Sequence, residues 1–118
     1  CVVRASPLTG RTHQIRVHLH HHGLPIFEDP FYGAAEEALG PRQGPVARAR
    51  DELCGRQALH AARLEVEHPG TGERVSYSAP LPRDFAAALA LLGLGGAVAE
   101  GGVLPGGLLP PPPAGAAA

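Results

Sequence analysis

The sequence predicts a small α/β domain of the α+β kind, with helices packed on an antiparallel hairpin. Three observations predict it. A turn at Thr9-Gly10 leads into helix-forming residues that end at Gly23 and Pro25. Leu64 and Val66 alternate with Glu65 and Glu67, and Val75, Tyr77 and Ala79 resume the alternation beyond His68-Pro69-Gly70-Thr71-Gly72. After Pro82, Phe85, Leu89 and Leu92 recur at helical spacing. A chain of 118 residues is enough for one such domain.

Taken in order, residues 1–8 read as a strand, with Val2 and Val3 favouring extended backbone and Pro7 ending it. A helix is expected over residues 12–22, capped by Thr12, with Ile15, Leu19 and His22 on one side. The stretch LPIFEDPFYG is apolar but broken by Pro25 and Pro30, so it reads as an ordered loop packing under that helix through Ile26, Phe27, Phe31 and Tyr32. Residues 34–56 carry Glu36, Glu37, Arg42, Arg48, Arg50, Asp51 and Glu52 among glycines and prolines. They read as a surface insertion with one helical turn near Ala47–Leu53, and a mixed-charge solvated loop is preferred there to an RNA-contacting one. The hairpin, over residues 57–80, calls for a sheet with one buried face. His60 reads as a buried, hydrogen-bonded histidine. Half of residues 93–118 are Gly or Pro, Glu100 is their one charge, and a disordered tail is expected.

Bulk properties narrow the function classes. The net charge of −1 makes no overall electrostatic case for nucleic acid. Cys1 and Cys54 are too few for a disulfide scaffold, so a reducing, cytoplasmic setting is expected, organellar in a eukaryote. No run is long and apolar enough for a membrane span. His18 and His22 share a helix face, but Leu19 stands where the zinc-protease pattern needs Glu, and no metal is expected. The chain opens on Cys1 rather than Met, which leads us to expect a fragment, a processed product or an incomplete gene model.

The chemistry concentrates in Leu8–His22, LTGRTHQIRVHLHHH. Arg11, His13 and Gln14 fall at a helix N-terminus, where unpaired N–H groups and the helix dipole attract anions, and Arg16 lies one turn inside. A guanidinium can hold phosphate or carboxylate with two parallel hydrogen bonds. A solvated basic helix start stands as the plain alternative.

GRTHQIRVH, followed by His22-Gly23-Leu24-Pro25-Ile26 and Asp29-Pro30-Phe31-Tyr32-Gly33, resembles the third conserved block of RluA-type pseudouridine synthases. Leu59-His60-Ala61, His68-Pro69, Thr71-Gly72-Glu73, Ala79-Pro80-Leu81-Pro82 and Asp84-Phe85 resemble that family's closing elements, in order, over residues 2 to about 92. The resemblance implies a mixed α/β domain around a largely antiparallel sheet. Residues 1–92 would be the C-terminal portion of its catalytic domain, and 93–118 a tail. It implies isomerisation of uridine to pseudouridine in rRNA or tRNA, with no cofactor, by a protein monomeric at full length. Arg16 would then be the catalytic partner of the nucleophilic aspartate. Arg11, His13 and Gln14 would contact RNA, and Ile15 and Val17 would pack near the pocket floor.

The nucleophile's own block, resembling HRLD followed by TSG, does not occur in this sequence, nor does the family's upstream active-site tyrosine. Asp29 resembles a structural loop aspartate, and Asp51 and Asp84 lie outside the nucleophile's motif. The expectation is therefore the supporting half of an active site, inactive alone. A non-catalytic RNA-binding module derived from the family is the alternative, and a metal-binding protein built on His18 and His22 a distant third.

Overall fold

The computed structural model describes residues 1–35 and 43–97. Glu36, Glu37, Arg42 and residues 98–118 of the expected tail lie outside the described residues. In chain order the elements are α1 (Gln14–His21), α2 (Pro45–Leu53), β1 (Arg63–Glu67), β2 (Arg74–Ser78) and α3 (Arg83–Leu91), with a 3-10 turn at Gly95–Ala97.

The helix at 12–22 is present but starts later than expected. His13, not Thr12, is its N-cap, with a left-handed backbone (φ 53°) and no side-chain cap. Gln14 instead folds back over the turn. Its Oε1 accepts the Thr9 hydroxyl at 2.7 Å and the Arg11 N–H at 3.1 Å, leaving Thr12 no role at the cap. The end falls where Gly23 predicts it. Gly23 takes φ 71°, its N–H bonds to His20 O, and the N–H of Leu24 reaches back to Leu19 O, closing the last carbonyls.

The core lies between α2 and α3. Ala49, Leu53 and Ala88 are its fully enclosed members, joined by Phe27, Ala58, Phe85, Leu91 and Leu92. This corrects the reading of residues 34–56 as a surface insertion. Val46, Ala49 and Leu53 form a helical stripe through the charged residues, and Pro45 at the first turn supplies a ready φ for helix entry.

β1 and β2 pair antiparallel, Leu64 opposite Tyr77 and Val66 opposite Val75, around the His68–Gly72 turn. His68 Nδ1 accepts the N–H groups of Gly70 and Thr71, and His68 N–H bonds to Glu73 O. The expected buried face is not seen. Leu64 is 57% and Tyr77 59% exposed, because no described element packs on the hairpin. The strand expected at residues 1–8 is likewise not formed. The described sheet has two strands only, and residues 1–8 pair with neither. His60 is half-buried, its Nε2 3.2 Å from Ala79 O, in keeping with a structural histidine.

Candidate functional site

The site is built where α1 meets the loop that follows it. Arg16, 8% exposed, is the one residue of α1 that the fold buries. Its Nε donates to Asp29 Oδ2 at 2.6 Å and its Nη2 to Asp29 Oδ1 at 2.7 Å, a two-pronged ion pair across thirteen residues of sequence. A guanidinium and a carboxylate match in this geometry, and burial makes the match necessary, since either charge alone would be costly to enclose.

Asp29 is held as firmly as it holds. Its Oδ1 also accepts the N–H groups of Phe31 at 2.9 Å and Tyr32 at 3.0 Å, so the carboxylate closes its own turn. The N–H of Gly33 then bonds to Asp29 O at 3.0 Å. A Cβ on Gly33 would sit 2.2 Å from that oxygen, so only glycine fits there. From the other side Glu28, with φ 59°, pairs with Arg50 of α2 at 2.7 Å. The N–H of Ala58 bonds to Phe27 O at 2.8 Å. The loop is thereby pinned to the helical core.

The electrostatics follow from these contacts. The Arg16 guanidinium, with the Phe31 and Tyr32 N–H groups, holds the Asp29 carboxyl well below the usual carboxylate range, outweighing burial, which pushes the other way. Asp29 raises the Arg16 guanidinium in turn. Both stay charged at any physiological pH. Asp29, with its lone pairs engaged by four donors, is a positioning group and a poor nucleophile.

Aromatic rings roof the pair. The Arg16 Cζ lies 5.5 Å from the Phe31 ring centroid and 5.2 Å from that of Tyr32. His13 Nδ1 is 3.3 Å from the Tyr32 hydroxyl, and His20 Nδ1 is 2.9 Å from Tyr32 O. Phe31, expected to pack beneath α1, is 77% exposed above it, whereas Ile26 is buried as expected.

The residues singled out from sequence therefore divide. Arg16, His13 and the loop come together. Gln14 is committed through its Oε1 to the turn, and Arg11 is exposed beside it. Ile15 is half-buried, while Val17 is 38% exposed. His18 and His22 join no group of three or more metal-binding side chains among the described residues. Sequence reasoning missed the Arg16–Asp29 pair. The signal was present in Asp29-Pro30, where an aspartate opens a turn and needs a cation once the turn is buried. A second two-pronged pair, Arg56 to Asp84 at 2.6 and 2.9 Å, fastens the approach to β1 onto the start of α3. No described helix is long and apolar enough to cross a membrane.

Pseudouridine synthases are among the relatives that this chain matches. An "Uncharacterized RNA pseudouridine synthase" of Chlorobaculum parvum is 52% identical over 79 residues, 65% of this chain and 24% of its own. A "Ribosomal large subunit pseudouridine synthase D" of Pseudomonas aeruginosa is 46% identical over 84 residues, 71% of this chain and 26% of its own. A protein of the same name from Neisseria meningitidis serogroup B is 45% identical over 92 residues, 78% of this chain and 24% of its own. The chain thus spans about a quarter of the length of these curated relatives. No family model matches it.

Proposed function

Given that this chain belongs to the RluA-type pseudouridine synthases, we propose that residues 1–92 are the C-terminal portion of a catalytic domain that isomerises uridine to pseudouridine in ribosomal RNA. The observation that carries the reading is the buried Arg16 of the THQIR block, fixed by Asp29. In this reaction the base leaves its sugar at nitrogen, turns, and rejoins the same sugar through carbon. The carboxylate that assists must stay ionised inside a closed pocket, which an adjacent permanent cation secures. Arg16 is that cation in this reading. Asp29 engages its Nε and Nη2, and the N–H groups of Nη1 are left to meet a second carboxylate. That carboxylate belongs to residues outside these 118. Asp29 orients the guanidinium, and the rigid loop keeps it from collapsing onto the wrong partner. The chain by itself is then inactive. Arg11 contacts RNA phosphate, and no cofactor takes part.

A second reading has one observation in its favour. Asp29 by itself already balances the charge of Arg16, so Arg16 could serve structure alone, in a module that binds RNA without modifying it. Pseudouridine formation in large-subunit RNA, measured with the protein as cells make it, separates the two. The catalytic reading expects Arg16→Met to abolish conversion while RNA affinity stays within about threefold of wild type, since one buried, paired charge adds little to phosphate binding. Conversion undiminished in Arg16→Met overturns it.

A further inference from the structure

The loop after Asp29 places one large apolar ring in solvent, and holds it there. Phe31 is 77% exposed, although Ile26 in the same loop is buried and Phe27 packs on the core. Its N–H is tied to Asp29 Oδ1, and the Arg16 guanidinium lies 5.5 Å from its centroid. The His13 imidazole runs nearly parallel to it, at 18° with centroids 6.3 Å apart. Tyr32 props that imidazole edge-on at 5.6 Å, with its hydroxyl 3.3 Å from His13 Nδ1. Arg11, exposed and two residues before His13, forms no ion pair among the described residues.

An ordered, exposed ring pair beside an unpaired cation suits one kind of ligand. Single-stranded nucleic acid offers flat bases to stack and phosphates to neutralise, and its binding sites combine aromatic or imidazole rings with arginines for that reason. The groups that touch the rings are the Arg16 guanidinium and the Tyr32 hydroxyl, polar partners that fit a nucleic acid better than an apolar peptide. We propose that Phe31 and His13 form a stacking platform for an unpaired base of the RNA, with Arg11 taking an adjacent phosphate. The inference rests on the reading of this chain as part of an RNA-modifying protein, and it specifies that the bound segment is single-stranded or looped, with at least one base out of its stack.

The test uses the protein as cells make it and short single-stranded RNAs in which each position in turn is abasic, with 2-aminopurine as a fluorescent reporter of stacking. The platform predicts that one position matters most. There the abasic RNA binds roughly tenfold more weakly, as expected for one lost stacking contact, and 2-aminopurine is quenched on binding. Phe31→Leu removes that preference and the quenching, Phe31→Trp keeps both, and Arg11→Ala weakens every RNA alike. Circular dichroism of each variant guards against misfolding. If wild type binds RNA but tolerates an abasic site everywhere, or if Phe31→Leu keeps the preference, the platform is wrong and the RNA reading stands. If wild type binds none of these RNAs, both fall together.

Discussion

Arg16 and Asp29 differ from the surface ion pairs of the chain in what surrounds them. The Asp29 side chain is fully enclosed and the Arg16 side chain 9% exposed, against 38% and 33% for Arg56 and Asp84. Removing one partner of an enclosed pair leaves the other without solvent or counter-charge, whereas a half-exposed pair is replaced by water. Asp29→Asn should therefore lower the urea midpoint of unfolding clearly more than Asp84→Asn, and equal losses would contradict the ranking. Gly33→Ala should act like Asp29→Asn although it touches no charge, because the added methyl meets Asp29 O and forces the turn open. Both effects read out as a fall in the denaturation midpoint.

The same pairs set an acid limit. Arg56 holds the Asp84 carboxyl down at about 2 from its ordinary 3.8, and Asp29 lies lower still. A carboxyl depressed in the folded state takes up protons more readily when unfolded. Its stabilisation is complete above about pH 4 and is lost as pH falls towards 2. The urea midpoint should be flat from pH 7 to 5 and then drop. Asp84→Asn should soften that drop, and a midpoint independent of pH down to 2.5 would contradict it.

At the scale of elements, the helices were legible where their ends were punctuated. Gly23 and Pro25 close α1, and Pro82 opens α3 with Phe85 and Leu89 facing inward. From sequence α2 reads as one turn on a surface, because Arg48, Arg50, Asp51 and Glu52 dominate its composition. Only three apolar positions, Val46, Ala49 and Leu53, mark its inner stripe, and a stripe that narrow is easily outweighed by charge in a short window. Leu53, 1% exposed, is the side chain on which α2 and α3 close. Leu53→Ala should cost about 3 kcal/mol by calorimetry or denaturation, as for other enclosed leucines. A loss below about 1 kcal/mol would mean that α2 is peripheral after all. The hairpin's alternation predicts two strands around the His68–Gly72 turn, but it says only that one face is apolar. It cannot say that a covering element lies within the same 118 residues, and the exposure of Leu64 and Tyr77 shows that none of the described ones does so.

For the whole molecule, composition was the weaker guide and the motif order the stronger. A net charge of −1 makes no case for nucleic acid, but it is a sum over the whole chain and does not say where an exposed cation such as Arg11 stands. The site's internal geometry was beyond the sequence for a physical reason. Which carboxylate meets Arg16 depends on a thirteen-residue chain reversal that neither periodicity nor propensity encodes. RNA binding by this face should be steeply salt-dependent, and Arg11→Ala should reduce the slope of log affinity against log salt by roughly one phosphate contact. An unchanged slope, measured by filter binding across a salt series, would remove Arg11 from the interface.

If Arg16, oriented by Asp29, keeps a catalytic carboxylate ionised as proposed, the decisive measurement is a count of pseudouridines in large-subunit RNA after incubation with the native protein and its Arg16→Met variant. The account predicts conversion by the first, none above background by the second, and none by residues 1–118 alone. Conversion by Arg16→Met at the native rate, or by the 118-residue chain without a partner, would contradict it.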